Sequence, residues 1–385
     1  MIWYNFSSMK ILAIETSCDE TAVAVVEGVD GELEILSDVV VSQVDIFAEY
    51  GGVIPEVAAR SHLEAMMPVL DRAMEGISWK EIDAIAVTHT PGLLGSLLIG
   101  TLTARQLAIL HNKPLYAVHH LKSHIYANWV GVGVKENKHN VPFGHVPGHS
   151  GQVFTSRRAH SVYSPSPTFS LLALVISGGH TQILYMREHN QFEIVGTTRD
   201  DAVGECFDKV AKILGLPYPG GPSIAKVAEN GDAFKYKLPH PQVEGLDFSF
   251  SGLKTAVLRV VQKELGLPIS HPSHDLKNHL NEQQVADFAA SFQRTAVDIL
   301  AEKMEMALKK FPEVKSIVVS GGVSANEELR KVFREKFGDM VYFPEPKFAG
   351  DNAVMVGVAA YYEILSGVKP VNPYHLDIMP RSEIK

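Results

Sequence analysis

The fold of this chain is decided by its first apolar run, Lys10-Ile-Leu-Ala-Ile-Glu-Thr-Ser17, which is rich in β-forming residues. Residues 21–28 form a second run of the same kind, and only Cys18, Asp19 and Glu20 separate the two. Two short β-type runs joined by a brief polar turn predict a β-hairpin.

A comparable pair of runs recurs at residues 171–177 and 181–186, on either side of Gly178-Gly179-His180. A third apolar run follows Lys315 and ends in Ser320-Gly321-Gly322. The repetition of one strand-to-turn unit predicts a duplicated architecture in which a turn from each half faces a shared cleft.

Helical patterns lie between these strands, and each has apolar residues at three- and four-residue spacing. They cover residues 54–74, 94–111, 202–214, 283–308 and 326–337, and residues 114–120 predict a strand that runs into a helix at 120–129. The most apolar stretch, 93–110, is too polar to span a bilayer, so it predicts a buried helix and no membrane association. Alternating strands and helices predict an α/β protein.

The 385 residues are 46% hydrophobic and 21% charged, which is typical of a globular protein of two domains. The formal net charge of −9 argues against an autonomous nucleic-acid binder, so an RNA partner would need a local basic patch or a second protein. Two cysteines in all predict a reducing compartment, and we expect the cytoplasm. Residues 1–8 lack the features of a signal peptide, and the true start is either Met1 or Met9.

Two histidines, His120 and His124, lie four positions apart and so share one helix face. Two ligands of one metal ion require this spacing, although such pairs also occur on ordinary helix surfaces. Leu121 occupies the position at which the metalloprotease helix motif has its glutamate, so a zinc peptidase is disfavoured. Asp351 is a candidate third ligand, and the alternative is that it only caps the following helix. Such a set leaves coordination positions open for substrate oxygens, as in iron(II) or catalytic zinc sites.

Three glycine pairs, 178–179, 220–221 and 321–322, could bring backbone N–H groups close to phosphate or sugar oxygens, although any one pair could be an ordinary turn. No glycine-rich loop ends in Gly-Lys-Ser/Thr, so this is not a P-loop enzyme. Among nearby carboxylates, Asp200 and Asp201 are interpreted as caps of the helix that starts at residue 202. Asp208 lies inside that helix and has no such explanation.

Taken in order, the motifs closely resemble those of the bacterial tRNA adenosine threonylcarbamoyltransferase family, TsaD, once described as glycoproteases. The resemblance covers nearly the whole chain. The motifs that support it are Ile14-Glu-Thr-Ser-Cys-Asp-Glu-Thr21, Ser177-Gly-Gly-His-Thr-Gln182, Ser320-Gly-Gly-Val-Ser-Ala-Asn326, and residues 51–56, 58–62, 91–92, 119–124, 204–209, 218–222, 248–254 and 351–352.

The resemblance implies an actin-like, sugar-kinase-like α/β fold of two related RNase H-like lobes with the active site between them. The implied first lobe is 9–118 plus 352–380, and the second is 119–351 with a long insertion at 130–169. The implied metal ligands are His120, His124 and Asp351. The implied donor and nucleotide contacts are Val175, Ile176, Ser177, Gly178, Gly179, Asp208, Gly221 and Asn326, and Asp19 is the implied catalytic acidic residue.

The implied reaction transfers threonylcarbamoyl from threonylcarbamoyl-AMP to the exocyclic amine of the adenosine 3′ of the anticodon, in tRNAs that read codons beginning with A, and releases AMP. The implied cofactor is one divalent metal ion, with iron(II) favoured over zinc. The implied partners are tRNA, the degenerate paralogue TsaB, the P-loop ATPase TsaE and an upstream threonylcarbamoyl-AMP synthase.

Two features depart from the family pattern: the first eight residues and the insertion at 130–169. Three other functions remain as alternatives. A metalloprotease would need a general base at the position that Leu121 occupies. A kinase-like phosphotransferase would prefer oxygen ligands for Mg²⁺. The intact triad argues against a non-catalytic scaffold.

Overall fold

The computed structural model describes residues 8–29, 31–130, 166–241, 243–382 and 384, and these form two compact units. The first unit holds the described residues up to 130, residues 166 and 189–191, and those from 344 onward. The second unit holds the described residues of 167–188 and 192–343. The insertion predicted at 130–169 lies almost wholly outside the described residues.

The sheet of the first unit has five strands in the order β3-β2-β1-β4-β5. Strands β1, β2 and β3 pair antiparallel, whereas β4 and β5 add in parallel on the other side of β1. Most strand side chains are buried on both faces, as expected where helices cover a sheet. The strands are β1 (Met9–Glu15), β2 (Glu20–Val29), β3 (Glu32–Ser42), β4 (Ala84–Thr90) and β5 (Leu115–His119).

The sheet of the second unit repeats this plan in the order β10-β9-β6-β7-β8, again with three antiparallel strands and two parallel ones. Its strands are β6 (Leu171–Ile176), β7 (Thr181–Met186), β8 (Phe192–Thr197), β9 (Ser316–Ser320) and β10 (Val341–Tyr342). Strand β6 therefore corresponds to β1, and β9 to β4. The predicted hairpins, the duplication and the α/β class are confirmed.

In the first unit, α2 and α3 pack against each other, and α10 packs on β1, β2 and α4. The helices of this unit are α1 (Val44–Tyr50), α2 (Pro55–Ala73), α3 (Leu94–His111), α4 (His120–Tyr126) and α10 (Ala353–Leu365). Those of the second unit are α5 (Val203–Leu214), α6 (Gly220–Ala228), α7 (Ser251–Glu264), α8 (Glu282–Lys310) and α9 (Glu327–Phe337).

The helix predicted at 94–111 is confirmed, but the expectation that it is buried is wrong in part. Its small residues, including Gly100, Ala104 and Ala108, face the protein, because they allow close approach to the neighbouring elements. Its leucines at 94, 98 and 102 face outward and are 60%, 41% and 38% exposed. No helix in the described part of the chain is long and apolar enough to cross a bilayer.

The lobe boundaries remain a prediction, and the compact units divide the chain differently at three places. The described residues of 119–166, residues 189–191 and residues 344–351 lie in the first unit, where α4 packs on α10. The pair Gly220-Gly221, for which an ordinary turn was the alternative, begins helix α6. One smaller expectation was wrong. Asp200 accepts hydrogen bonds from residues 249–251 at the start of α7, and Asp201 pairs with Lys209, so neither caps α5.

Candidate metal centre and active site

Three potential metal ligands converge in the first unit, and their ligand atoms all lie within 4.8 Å of one another. The Nε2 atoms of His120 and His124 lie 3.5 and 3.1 Å from Oδ1 of Asp351. His120 and His124 are 7% and 1% exposed. The structure therefore brings together the histidine pair predicted from spacing and Asp351, the candidate third ligand that the resemblance also implied.

The local fold explains how these side chains are held. Strand β5 ends at His119, whose ring accepts a hydrogen bond from the Leu121 N–H and so caps α4. Helix α4 then places His120 and His124 one turn apart, with ring centroids separated by 4.6 Å.

Asp351 does not cap α10, which was the alternative to its being a ligand. Asn352 is the cap and accepts from the Met355 N–H. Its Nδ2 also donates to the carbonyls of Phe348 and Gly350, which fixes the loop before Asp351. The Asp351 carboxylate is therefore presented to the histidines by its neighbour.

A fully buried carboxylate, Glu15 at the end of β1, orients His120. Its Oε2 lies 3.1 Å from His120 Nδ1 and accepts from the Thr88 hydroxyl at 2.6 Å, while its Oε1 accepts from the Ser17 N–H at 2.6 Å. A carboxylate on the outer nitrogen fixes the tautomer of a histidine and directs its Nε2 at a metal. Sequence reasoning missed this residue, although a glutamate inside an apolar strand was a usable signal.

Several titratable groups lie close together at the triad. Burial lowers the pKa of His120, but the carboxylates of Asp351 and Glu15 outweigh burial and raise that pKa to about 9. Burial and the charge of Asp351 raise the pKa of Asp19. A cation at this place would relieve repulsion among the carboxylates and would displace the proton from His120.

The residues present fit a divalent metal ion. Both ring nitrogens of His124 are buried and have no hydrogen-bond partner among the described residues, although Nε2 lies 3.1 Å from Asp351. A buried polar atom without a partner is costly, and a bound cation would satisfy it. Leu121, at the position where the metalloprotease helix motif has its glutamate, is 1% exposed and carries no group that could act as a general base.

The second unit holds the residues expected to contact the donor. Val175 and Ile176 are completely buried in β6, so only their backbone could face a ligand. Ser177 closes the following turn by exchanging hydrogen bonds with His180. A Cβ added at Gly178 or Gly179 would meet nothing within 4 Å, so the backbone of this turn is open to approach.

The remaining expected contacts also have structural partners. Asp208 accepts a hydrogen bond from the Gly220 N–H at 2.7 Å, and a Cβ at Gly221 would meet open space. Asn326 caps α9 by accepting from the Leu329 N–H and donates to Gln293 at 2.7 Å. Their contacts with a nucleotide stay a prediction.

A profile of the TsaD family, described as tRNA N6-adenosine threonylcarbamoyltransferase, matches residues 34–151 and 137–358. The tRNA N6-adenosine threonylcarbamoyltransferase of Symbiobacterium thermophilum is 43% identical over 371 residues, which cover 95% of this chain and 94% of that protein. The protein of the same name from Thermomicrobium roseum is 44% identical over 371 residues, which cover 94% and 93%.

Solved structures show a likeness in fold. HypF from T. kodakarensis superposes with a TM-score of 0.56 at 16% identity, over 94% of this chain and 48% of HypF. A full-length HypF in the phosphate- and nucleotide-bound form gives 0.51 at 13% identity, over 93% and 47%.

Proposed function

This chain belongs to the TsaD family of tRNA N6-adenosine threonylcarbamoyltransferases, and from that premise we propose that one divalent metal ion, held by His120, His124 and Asp351, serves its reaction. The chain is a tRNA threonylcarbamoyltransferase and makes threonylcarbamoyladenosine, t6A. The observation that carries the metal proposal is the buried His124, whose ring nitrogens have no hydrogen-bond partner among the described residues while Nε2 faces Asp351.

The donor that we propose is threonylcarbamoyl-AMP, and the acceptor is the adenosine 3′ of the anticodon. The reaction forms a bond between N6 and the carbamoyl carbon, breaks the bond from that carbon to the phosphate oxygen, and releases AMP. When bound, the metal supplies a Lewis acid for a carbonyl or phosphoryl oxygen. Two imidazoles and one carboxylate suit iron(II) with open positions, so we favour iron over zinc.

The N6 amine must lose a proton during the transfer, and we assign its acceptance to Asp19. This side chain is 9% exposed and lies in the turn between β1 and β2. Burial is the largest cause that raises its pKa, and a raised pKa improves a carboxylate as a proton acceptor near neutral pH. Asp19→Asn should lower kcat while the bound metal and the KM for tRNA stay near those of the wild type.

We assign donor binding in the second unit to the turn after β6 and to the start of α6. The open backbone at Gly178, Gly179 and Gly221 supports this assignment, since N–H groups without a neighbouring Cβ can approach phosphate oxygens closely. Asp208 and Asn326 hold the neighbouring backbone and are assigned to the nucleotide part of the donor.

We propose that the chain works in the cytoplasm with tRNA and protein partners. The net charge of −9 supports a need for partners in tRNA binding. On α2, Leu63 and Met67 are 67% and 55% exposed. Helix α3, which packs against α2, carries the exposed leucines at 94, 98 and 102. Because a paralogue of the same fold would carry an equivalent helix pair, we assign this apolar surface to TsaB. TsaE and the synthase that supplies the donor complete the proposed set.

The test is a reconstituted transfer assay with purified partners, unmodified tRNA and labelled threonylcarbamoyl-AMP, with bound metal measured in parallel. His120→Ala and Asp351→Ala should lose both the metal and the label on tRNA. His119→Asn is the matched control, because it replaces a neighbouring imidazole outside the triad and keeps a residue able to cap α4. Variants that lose activity but retain the metal would refute the metal site, and a metal-loaded wild type that transfers no label with all partners present would refute the proposed reaction.

A further inference from the structure

A second cluster of metal-ligand type lies in the second unit, on the segment that joins α7 to α8. It consists of His271, Asp275 and His279, whose ligand atoms lie within 4.8 Å of one another. The Nε2 atoms of His271 and His279 lie 2.9 and 3.1 Å from the same oxygen, Oδ2 of Asp275. The reaction described above uses none of these residues.

The arrangement repeats the geometry of the first triad. In both clusters, two Nε2 atoms converge on one carboxylate oxygen, and the first triad has distances of 3.5 and 3.1 Å. Ligands of a tetrahedral zinc ion at about 2.0–2.2 Å from the metal are separated by roughly 3.3–3.6 Å. The observed separations need only a small outward movement to admit the ion.

The segment that carries the cluster is built into the unit. Gln262 of α7, which is 2% exposed, donates from Nε2 to the carbonyls of Ile269 and His271. Leu276, between Asp275 and His279, is completely buried in the core. The chain on both sides of the carboxylate is therefore anchored, which limits the entropy lost when ligands are held in place.

The carboxylate also has a partner that orients it. Asn278 donates from Nδ2 to Oδ1 of Asp275 at 2.8 Å, which leaves Oδ2 directed at the two imidazoles. Such an outer partner is typical of metal-ligating carboxylates. The side chains of His271, Asp275 and His279 are 19%, 37% and 44% exposed, so water can complete a coordination sphere.

We propose that His271, Asp275 and His279 bind one divalent transition metal ion of the zinc class, separately from the active-site triad. The ion holds together three side chains of the segment between α7 and α8 and so stabilises the second unit. This site does not depend on the proposed function, since none of its ligands belongs to the first triad.

The experiment counts metal equivalents in the full chain by titrating zinc, and cobalt as a spectroscopic probe, against a chelator of known affinity. His279→Asn and Asp275→Asn should each bind one equivalent less than the wild type, while His124→Ala loses a different equivalent and the combined variant loses both. Asn278→Ala keeps all three ligands and should weaken this site by about 10–100-fold. Zinc should raise the Tm of the wild type more than that of His279→Asn.

His274→Asn is the matched control, because it removes a histidine of the same segment that lies outside the cluster. It should bind as many equivalents as the wild type. If His279→Asn and Asp275→Asn, folded as judged by circular dichroism, bind the same number of equivalents as His274→Asn, the cluster is an ion-pair network only and the proposal is wrong.

Discussion

Replacing Glu15 by glutamine tests whether the triad depends on the carboxylate behind it. Glutamine keeps the size of this fully buried side chain, so the packing of β1 is conserved. It removes the charge that lies 3.1 Å from His120 Nδ1, and with it the preference for the tautomer whose Nε2 is free to bind a metal. His120 remains present but is a weaker and less well oriented ligand.

The size of the effect follows from the role of this contact. Loss of an outer partner of a metal-bound histidine typically weakens metal affinity by about 10–100-fold. This corresponds to about 1.4–2.7 kcal/mol of binding free energy. The Ser17 N–H and the Thr88 hydroxyl both donate to Glu15, and one oxygen of glutamine cannot accept from both at their present positions, so we expect the upper half of this range.

The assay is a chelator competition for iron(II) or zinc at fixed pH, together with the transfer rate at saturating metal. Two threonines of β4 provide a matched pair of controls. Thr88→Val removes a hydrogen bond to Glu15 and should weaken metal binding less than Glu15→Gln does. Thr90→Val removes a buried hydroxyl that has no hydrogen-bond partner among the described residues, and it should leave the affinity unchanged. A Glu15→Gln protein that folds and binds metal as tightly as the wild type would refute the orienting role.

Three further outcomes follow from the structure. Burial raises the pKa of Asp38 from 3.8 to about 7, so the folded state binds the proton more tightly than the unfolded chain, and stability falls as pH rises between these values. Asp38→Asn should therefore raise the free energy of unfolding by up to about 4 kcal/mol at about pH 8 and change it little at about pH 4. Denaturant titrations at the two pH values measure this difference, and an equal effect at both would contradict it. Gly220→Ala should cost about 1–3 kcal/mol of stability, because its Cβ would lie 2.5 Å from the Asp208 Cα, whereas Gly221→Ala should fold normally and raise the KM for the donor. An unchanged KM would remove Gly221 from the donor site. Met67→Glu combined with Leu98→Glu should abolish binding to purified TsaB without lowering Tm, since both side chains are exposed; retained binding would move the partner surface elsewhere.

Much of the fold follows from patterns that are local in sequence. The hairpins β1–β2 and β6–β7 and the helices α2, α3, α5, α8 and α9 have clear periods, so they could be predicted. Strand β3 was not predicted, because Glu32, Glu34 and Asp38 interrupt its apolar pattern at the sheet edge. Strand β10 has two residues and exists only through pairing with β9, which no local pattern can reveal.

In the candidate site too, ligands that are close in sequence could be predicted, whereas partners from distant parts of the chain could not be predicted from local patterns. Helical spacing alone placed His120 and His124 on one face. Asp351 comes from a remote part of the chain, so the residues offered it only as a candidate, with helix capping as the alternative, and the resemblance then implied it as the third ligand. Neither route gave Glu15 or Asn352, because their roles come from hydrogen bonds that exist only in the folded unit.

The two histidine–aspartate clusters differ in how much folding each requires. The first triad needs β1, α4 and the loop before α10, so its ligands meet only when the first unit is complete. A metal that binds only this folded arrangement stabilises the whole unit by mass action. The ligands of the second cluster lie within one short segment, so little loop-closure entropy separates them in the unfolded chain. Metal on that segment would also bind partly unfolded states, which reduces its stabilising effect. The same ligand types would therefore serve the two proposed sites differently: metal binding in the first unit would be coupled to folding of the whole unit, and metal binding in the second would stabilise one local segment.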